Sequence, residues 1–212
     1  MSQPCNRSAT VPAPGDLDAS LREFWVSNPW QITALGHNLS AFERNRAYLN
    51  VKGQDFLDIS HLTGADSDGD GRAVVAADFR NVGMLDLIVR QAGGGPLLLF
   101  ENRLPRRHYL KVSLRGRQSN RQGIGARLTA VVRGQPLVRE LYPANSFDSQ
   151  APAIVHFGLA DAEAAESLTI CWPSGKVQVL KDVKGDRHVV VDEGKDGADA
   201  IETVVPGRTI AP

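Results

Sequence analysis

This chain of 212 residues is poor in what marks a thiolate metal protein, a membrane protein or a polycation. Its two cysteines, Cys5 and Cys171, lie far apart and form neither a metal pair nor a disulfide framework. No lipobox pattern precedes Cys5, so it reads as a surface cysteine rather than a lipid anchor. No apolar run approaches the ~20 residues a membrane helix needs. The start Met-Ser-Gln-Pro-Cys lacks the apolar centre of a signal peptide, so neither a transmembrane segment nor an export signal is expected in it. Lys plus Arg and Asp plus Glu number 24 each, a balance that argues against a nucleic-acid binder.

Catalytic patterns are missing as well. His61, His108, His156 and His188 are dispersed, with no His-Glu-x-x-His or Cys-x-x-Cys spacing for zinc. There is no Gly-x-Ser-x-Gly elbow. Gly123-Ile124-Gly125 opens like a dinucleotide loop, but Leu128 stands where the third glycine belongs. His156, between Val155 and Phe157, reads as a surface or hydrogen-bonded structural histidine. A non-catalytic protein is the expectation; the alternative is a metal-assisted hydrolase or cyclase using the Asp66–Asp86 carboxylates with His61.

What is present begins with 42% hydrophobic residues, enough for one good-sized core or two small ones. The charges cancel but are segregated. Between Asp55 and Asp86 lie seven acids against Arg72 and Arg80, whereas Arg103 to Arg139 holds ten Lys or Arg and no acid. From the basic stretch, Arg106, Arg107, Arg115, Arg117 and Arg121 are candidates for a patch that binds an anionic partner such as a sulfated or uronic polysaccharide. Against that, Lys111, Arg115, Arg127 and Arg133 alternate with apolar residues and read as the solvated face of strands.

The acidic stretch carries the metal candidates. Asp66, Asp68 and Asp70 occupy alternate positions before Gly71, a spacing that can turn three carboxylates onto one hard cation such as Ca2+. It is no EF-hand: the ninth and twelfth loop positions are Val74 and Ala77. A second loop runs from Asp78 to Asp86, with Arg80, Val82 and Met84 where further acids would be needed. A guanidinium beside an ion site opposes the ion, so weak or vestigial calcium binding is expected from Asp66, Asp68, Asp70, Asp78 and Asp86.

Along the chain, residues 1–15 read as a disordered leader, followed by a short helix capped by Asp16 and carrying Leu17, Leu21, Phe24 and Trp25 on one face. Strand signals then recur at 47–51, 56–59, 72–77, 85–90 and 97–100. After residue 104 alternation is cleaner: Leu110, Val112 and Leu114, then Leu128, Ala130 and Val132, then Leu168, Ile170 and Trp172, then Val177 and Val179. Turns are predicted at Arg133-Gly134 and Pro173-Ser174-Gly175-Lys176. The expected organisation is a leader at 1–15, a helix and β meander at 16–104, an antiparallel β domain at 105–193 and an acidic tail at 194–212.

Four motifs carry a resemblance: Ser119-Asn120-Arg121-Gln122-Gly123-Ile124-Gly125-Ala126, Ser146-Phe147-Asp148-Ser149-Gln150, Val155-His156-Phe157-Gly158-Leu159 and Trp172-Pro173-Ser174-Gly175. In this order they resemble the ASPIC/UnbV domain, the cartilage-acidic-protein family. The Asp66–Val89 stretch is similar to a degenerate FG-GAP/VCBS repeat, whose pattern is Asp-Phe-Asp-Asn-Asp-Gly-Asp-Leu-Asp-Leu. The resemblance implies a mainly β fold, with an antiparallel sandwich or barrel-like domain after a partial propeller-like meander. It also implies a secreted, periplasmic or cell-surface setting and a binding or adhesion role toward protein or anionic glycan partners, with oligomers allowed. Some 60 residues before the domain supply one or two blades, too few to close a propeller.

Overall fold

The computed structural model describes residues 44–51, 53–67, 69, 71–91, 96–144, 147 and 149–204. The expected leader and helix, Cys5, Asp68 and Asp70 lie outside the described residues. The fold is mainly β, with 51% of the described residues in strands and 5% helical. By contacts the chain falls into two units. One comprises the described residues up to Val74 together with Ile88–Phe100, the other Val75–Leu87 together with the residues from Glu101.

The first unit begins with a hairpin of β1 (Tyr48–Val51) and β2 (Asp55–Asp58). Its turn closes because the Asn50 Oδ1 accepts the Gly53 N–H at 2.6 Å while Gly53 takes a left-handed φ of 74°. One helical turn, α1 (Ser60–Thr63), follows and ends on the left-handed Gly64. Ser60 is buried, and its hydroxyl donates to Asp58 and accepts the Ala47 N–H. The three-stranded sheet is ordered β3 (Gly71–Ala77), β4 (Asp86–Gln91), β5 (Leu98–Phe100).

The second unit is a two-layer sandwich. Its strands are β6 (His108–Arg115), β7 (Arg127–Val132), β8 (Gln135–Glu140), β9 (Val155–Ala160), β10 (Ala164–Cys171), β11 (Val177–Lys184), β12 (Arg187–Asp192) and β13 (Ile201–Thr203). One sheet runs β11-β10-β7-β8 and the other β13-β12-β6-β9, and no closed barrel forms. Pairing is antiparallel except between β6 and β12, which run parallel. Period-two alternation directs Leu110, Val112, Leu128, Ala130, Phe157, Leu168, Ile170, Leu180, Val189 and Val191 into one core. Each fully buried Leu, Val or Phe stabilises by roughly 1.5–3 kcal/mol relative to exposure, so this shared core holds the two layers together. Trp172 anchors its end, with the indole N–H donating to the Gln178 Oε1 at 2.9 Å. Both predicted turns form: Arg133 and Gly134 take φ of 51° and 71°, and Gly175 takes 90°.

Two expectations need correction. Lys111, read as part of a solvated strand face, is buried at 7% exposure. It does sit on the outer face of β6, but the Asp78–Gly83 segment covers it there. Residues 194–204, read as tail, contain a 3-10 turn (Gly197–Ala200) and β13, which pairs with β12. Ala200 reaches the core at 2% exposure. The acidic composition of the stretch hid one short apolar step into the sandwich.

Candidate functional site

The second acidic loop is built around the carboxylate of Asp78. Its Oδ1 accepts the Val82 N–H at 2.9 Å and its Oδ2 the Gly83 N–H at 2.8 Å, which folds the loop back on its first residue. The Lys111 ammonium rises from β6 to the same Oδ2 at 2.8 Å and to the Asn81 Oδ1 at 3.1 Å. Burial alone would raise the Asp78 pKa, but hydrogen bonds from Lys111, Gly83 and Val82 together hold it below the ordinary carboxylate value. Gly83 has φ 83°, and a Cβ there would lie 2.0 Å from the Tyr109 ring, so the close approach needs glycine.

Beside Lys111, across the β6–β9 ladder, stands His156. Its Nε2 donates to the Gly83 carbonyl at 2.9 Å, which places the proton on that nitrogen. Burial lowers its pKa, with the Gly83 bond opposing, and favours the neutral ring. The Tyr109 ring stacks parallel to it at 6.0 Å. At the far end of the loop, Asp86 is gripped by Arg80 through Nη2 at 3.0 Å and Nε at 3.2 Å, and it accepts the Asn102 N–H at 2.8 Å. That backbone bond and the guanidinium hold the Asp86 pKa low. A cleft of about 290 Å³ adjoins the loop, with Asp78, Lys111, His156, Arg139, Tyr142 and Ile154 among its walls.

The expected calcium ligands are thus dispersed in role. Asp78 and Asp86 each face a cation of the chain, Asp66 pairs with Arg44 at 3.1 Å, and His61 is exposed on α1. Among the described residues no three His, Cys, Asp or Glu side chains converge as a metal set. The expected arginine patch is also divided. Arg106 and Arg107 precede β6 while Arg115, Arg117 and Arg121 lie at or beyond its end, some 23 Å away for an eight-residue strand. Three of the five are paired within the fold: Arg107 with Asp161, Arg115 with Asp192 and Glu202, Arg117 with Asp192. Arg106 and Arg121 are exposed.

A second carboxylate cluster was not foreseen. Glu193 is 2% exposed, and its Oε2 accepts three consecutive backbone N–H groups, those of Arg117, Gln118 and Ser119, at 2.5, 2.8 and 2.9 Å. Its Oε1 accepts the hydroxyls of Ser119 and Ser174 at 2.8 and 2.6 Å. Successive amides aimed at one point form an anion nest, here filled by the chain's own carboxylate. Burial would raise the Glu193 pKa, yet the Ser174 hydroxyl, the amides and the Ser119 hydroxyl bring it down to about 2. Neighbouring Asp192 is also lowered to about 2, first by the Arg117 guanidinium. Ser119 and Ser174 therefore serve one lock. Their common partner was illegible because it lies 74 residues from Ser119 and 19 from Ser174.

Residues 116–198 match the family model described as ASPIC and UnbV. The match covers well under half of the chain and takes in all four motifs quoted above, along with Glu193 and the residues that donate to it. A comparison with curated proteins finds no match for this chain.

Proposed function

We propose that this chain is a non-catalytic binding or scaffolding module, working at the cell surface, in the periplasm or outside the cell and recognising a protein partner. The observation that carries this reading is how the candidate chemical groups are used. Asp78, Asp86, Asp192, Glu193, Lys111 and His156 each hold a loop or a strand end in place. The match over residues 116–198 supports the family side of the reading, and the resemblance of that family to surface proteins supports the setting. A protein partner is favoured over an anionic glycan because three of the five candidate arginines are ion-paired and the five are split between two ends of β6.

The Asp66–Val89 stretch, on this reading, is a degenerate FG-GAP/VCBS repeat in which chain cations have taken over from calcium. The Lys111 ammonium and the Arg80 guanidinium oppose any further cation at Asp78 and Asp86. Calorimetric titration of the chelator-stripped protein with calcium is expected to give no saturable heat and a melting temperature unmoved by the ion. Binding near one equivalent with a rise of several degrees would restore a working calcium site, since a native-state ligand must stabilise by mass action. Ester or phosphoester turnover that disappeared in His156→Gln would overturn the non-catalytic reading. Retention on an anionic glycan column that fell when Arg106 and Arg121 were replaced by serine would restore the glycan partner.

A further inference from the structure

The sandwich has four edge strands, and three of them are blunted. β8 carries Pro136 at a position opposite Val131 that does not bond within the ladder, so its missing N–H falls on the free edge. β13 is three residues long. β9 meets β6 with a register shift at His108/Tyr109, the kind of irregularity that turns an edge aside. β11 is eight residues long, and its register against β10 is continuous from Val177 to Lys181.

The hairpin geometry says which backbone groups of β11 are free. The Trp172 N–H donates to the Lys176 carbonyl at 2.9 Å, making that pair a hydrogen-bonded one. Alternation along an antiparallel ladder then makes 170/178 and 168/180 bonded pairs, and 171/177, 169/179 and 167/181 non-bonded ones. Val177, Val179 and Lys181 accordingly turn their N–H and C=O groups away from β10. Among the described residues no backbone bond outside the ladder engages them.

A cleft of about 540 Å³ opens along this edge, with Val179, Val183, Ile201, Lys181, Lys184 and Arg187 in its lining. Val179 is 53% exposed. Three cations at the rim face one acid, Asp182, which Lys184 engages at 3.0 Å. We propose that the free edge of β11 is a docking site for an extended, acidic peptide segment of a partner protein, which adds as a strand through Val177, Val179 and Lys181 with its carboxylates toward Lys181 and Arg187. Main-chain bonds supply affinity in such strand addition, and the rim charge selects the partner. A second copy pairing edge to edge about a two-fold axis at Val179 would set Lys181 opposite Val177 of the copy and so bring it no carboxylate. The chain's own residues 205–212 bring Arg208 and no acid. Charge thus favours a foreign acidic strand. The inference rests on the reading of the chain as a binding module, and it involves none of the groups tested by calcium or by the glycan column.

The test is selection of displayed random seven-residue peptides on the full chain, followed by affinity measurement with synthetic copies of the enriched sequences. Enrichment of peptides alternating β-branched and acidic residues is expected. Their affinity should fall at least tenfold in Val179→Pro, which removes an N–H that no ladder bond uses, and in Lys181→Glu/Arg187→Glu. Pro136→Val on β8 should leave it unchanged. Amide exchange read on the unmutated protein keeps the test independent of how Val179→Pro folds: peptide should slow exchange at Val179 and Lys181. Failure to enrich acidic sequences, affinity indifferent to the charge reversal, or exchange unaltered at those two amides would overturn the proposal. A concentration-dependent dimer abolished by Val179→Pro would overturn it in favour of self-pairing. Any of these failures accompanied by unchanged calcium and glycan results would leave the module reading in place.

Discussion

Two buried carboxylates in the sandwich unit solve the same electrostatic problem by different means. Asp78 is stabilised by an ammonium on a neighbouring strand together with two amides of its own loop. Glu193 is stabilised by neutral donors alone, three amides and two hydroxyls, drawn from two loops far away in sequence. The first arrangement depends on a charge partner, so removing that partner leaves a buried ion uncompensated. The second depends on the position of backbone dipoles, so removing the carboxylate leaves several donors orphaned at once. Charge pairing fixes a loop to a sheet; the nest fixes two turns to the end of a strand.

The comparison breaks most sharply at Glu193. Glu193→Ala orphans three N–H groups and two hydroxyls, and it is expected to destabilise the chain by about 4 kcal/mol in urea unfolding; a loss under 1 kcal/mol would mean the nest is decorative. Next in size is Lys111→Met, which strands the Asp78 carboxylate and should cost about 3 kcal/mol. The double change Lys111→Met with Asp78→Asn should recover part of that loss, whereas a strictly additive cycle would deny the pairing.

Acid sharpens the contrast further. The folded pKa values of Glu193 and Asp192, both about 2, lie below the ordinary 4.5 and 3.8. Depressed folded values mean the stabilisation is complete above about pH 5 and is lost as pH falls toward 2. Glu193→Gln should flatten the stability profile across that window, and an unflattened profile would assign the acid response to other carboxylates. Smallest is Gly83→Ala, at about 2 kcal/mol, because both the positive φ and the Tyr109 contact oppose a Cβ. A neutral result there would show that the loop shifts without cost.

Much of the framework was legible because period-two alternation is a local signal. The strands expected at 72–77, 85–90 and 97–100 lie within one residue of β3, β4 and β5. The faces of Leu110, Leu128 and Ile170 point inward as the alternation required. Gly123 was read as a turn glycine, and it has φ 65° with Leu114 within 2.8 Å of where a Cβ would lie. The misses are all long-range. Alternation places Lys111 on an outer face, but it carries no information that a segment more than 30 residues upstream will cover that face. The motif serines announced capped turns, yet the carboxylate that unites them could be identified only once β12 was seen beside β6. The candidate arginines are separated for the opposite reason: residues close in sequence were carried apart by the length of one strand.

The parallel pair of β6 and β12 has a consequence for the order in which the chain acquires its structure. β6 is an inner strand of its sheet, yet one of its two neighbours begins only at Arg187, and the carboxylate that satisfies the amides of 117–119 comes at Glu193. On a ribosome the hairpins β7–β8 and β10–β11 can close as they emerge, but the sheet containing β6 stays split, with apolar Val112 and Leu114 unroofed, until the last described residues are free. Closing so long a loop is slow relative to local pairing. This domain is therefore one whose newly made chain depends on protection until residues 187–193 have emerged, and whose truncation near residue 190 removes the keystone of the sheet.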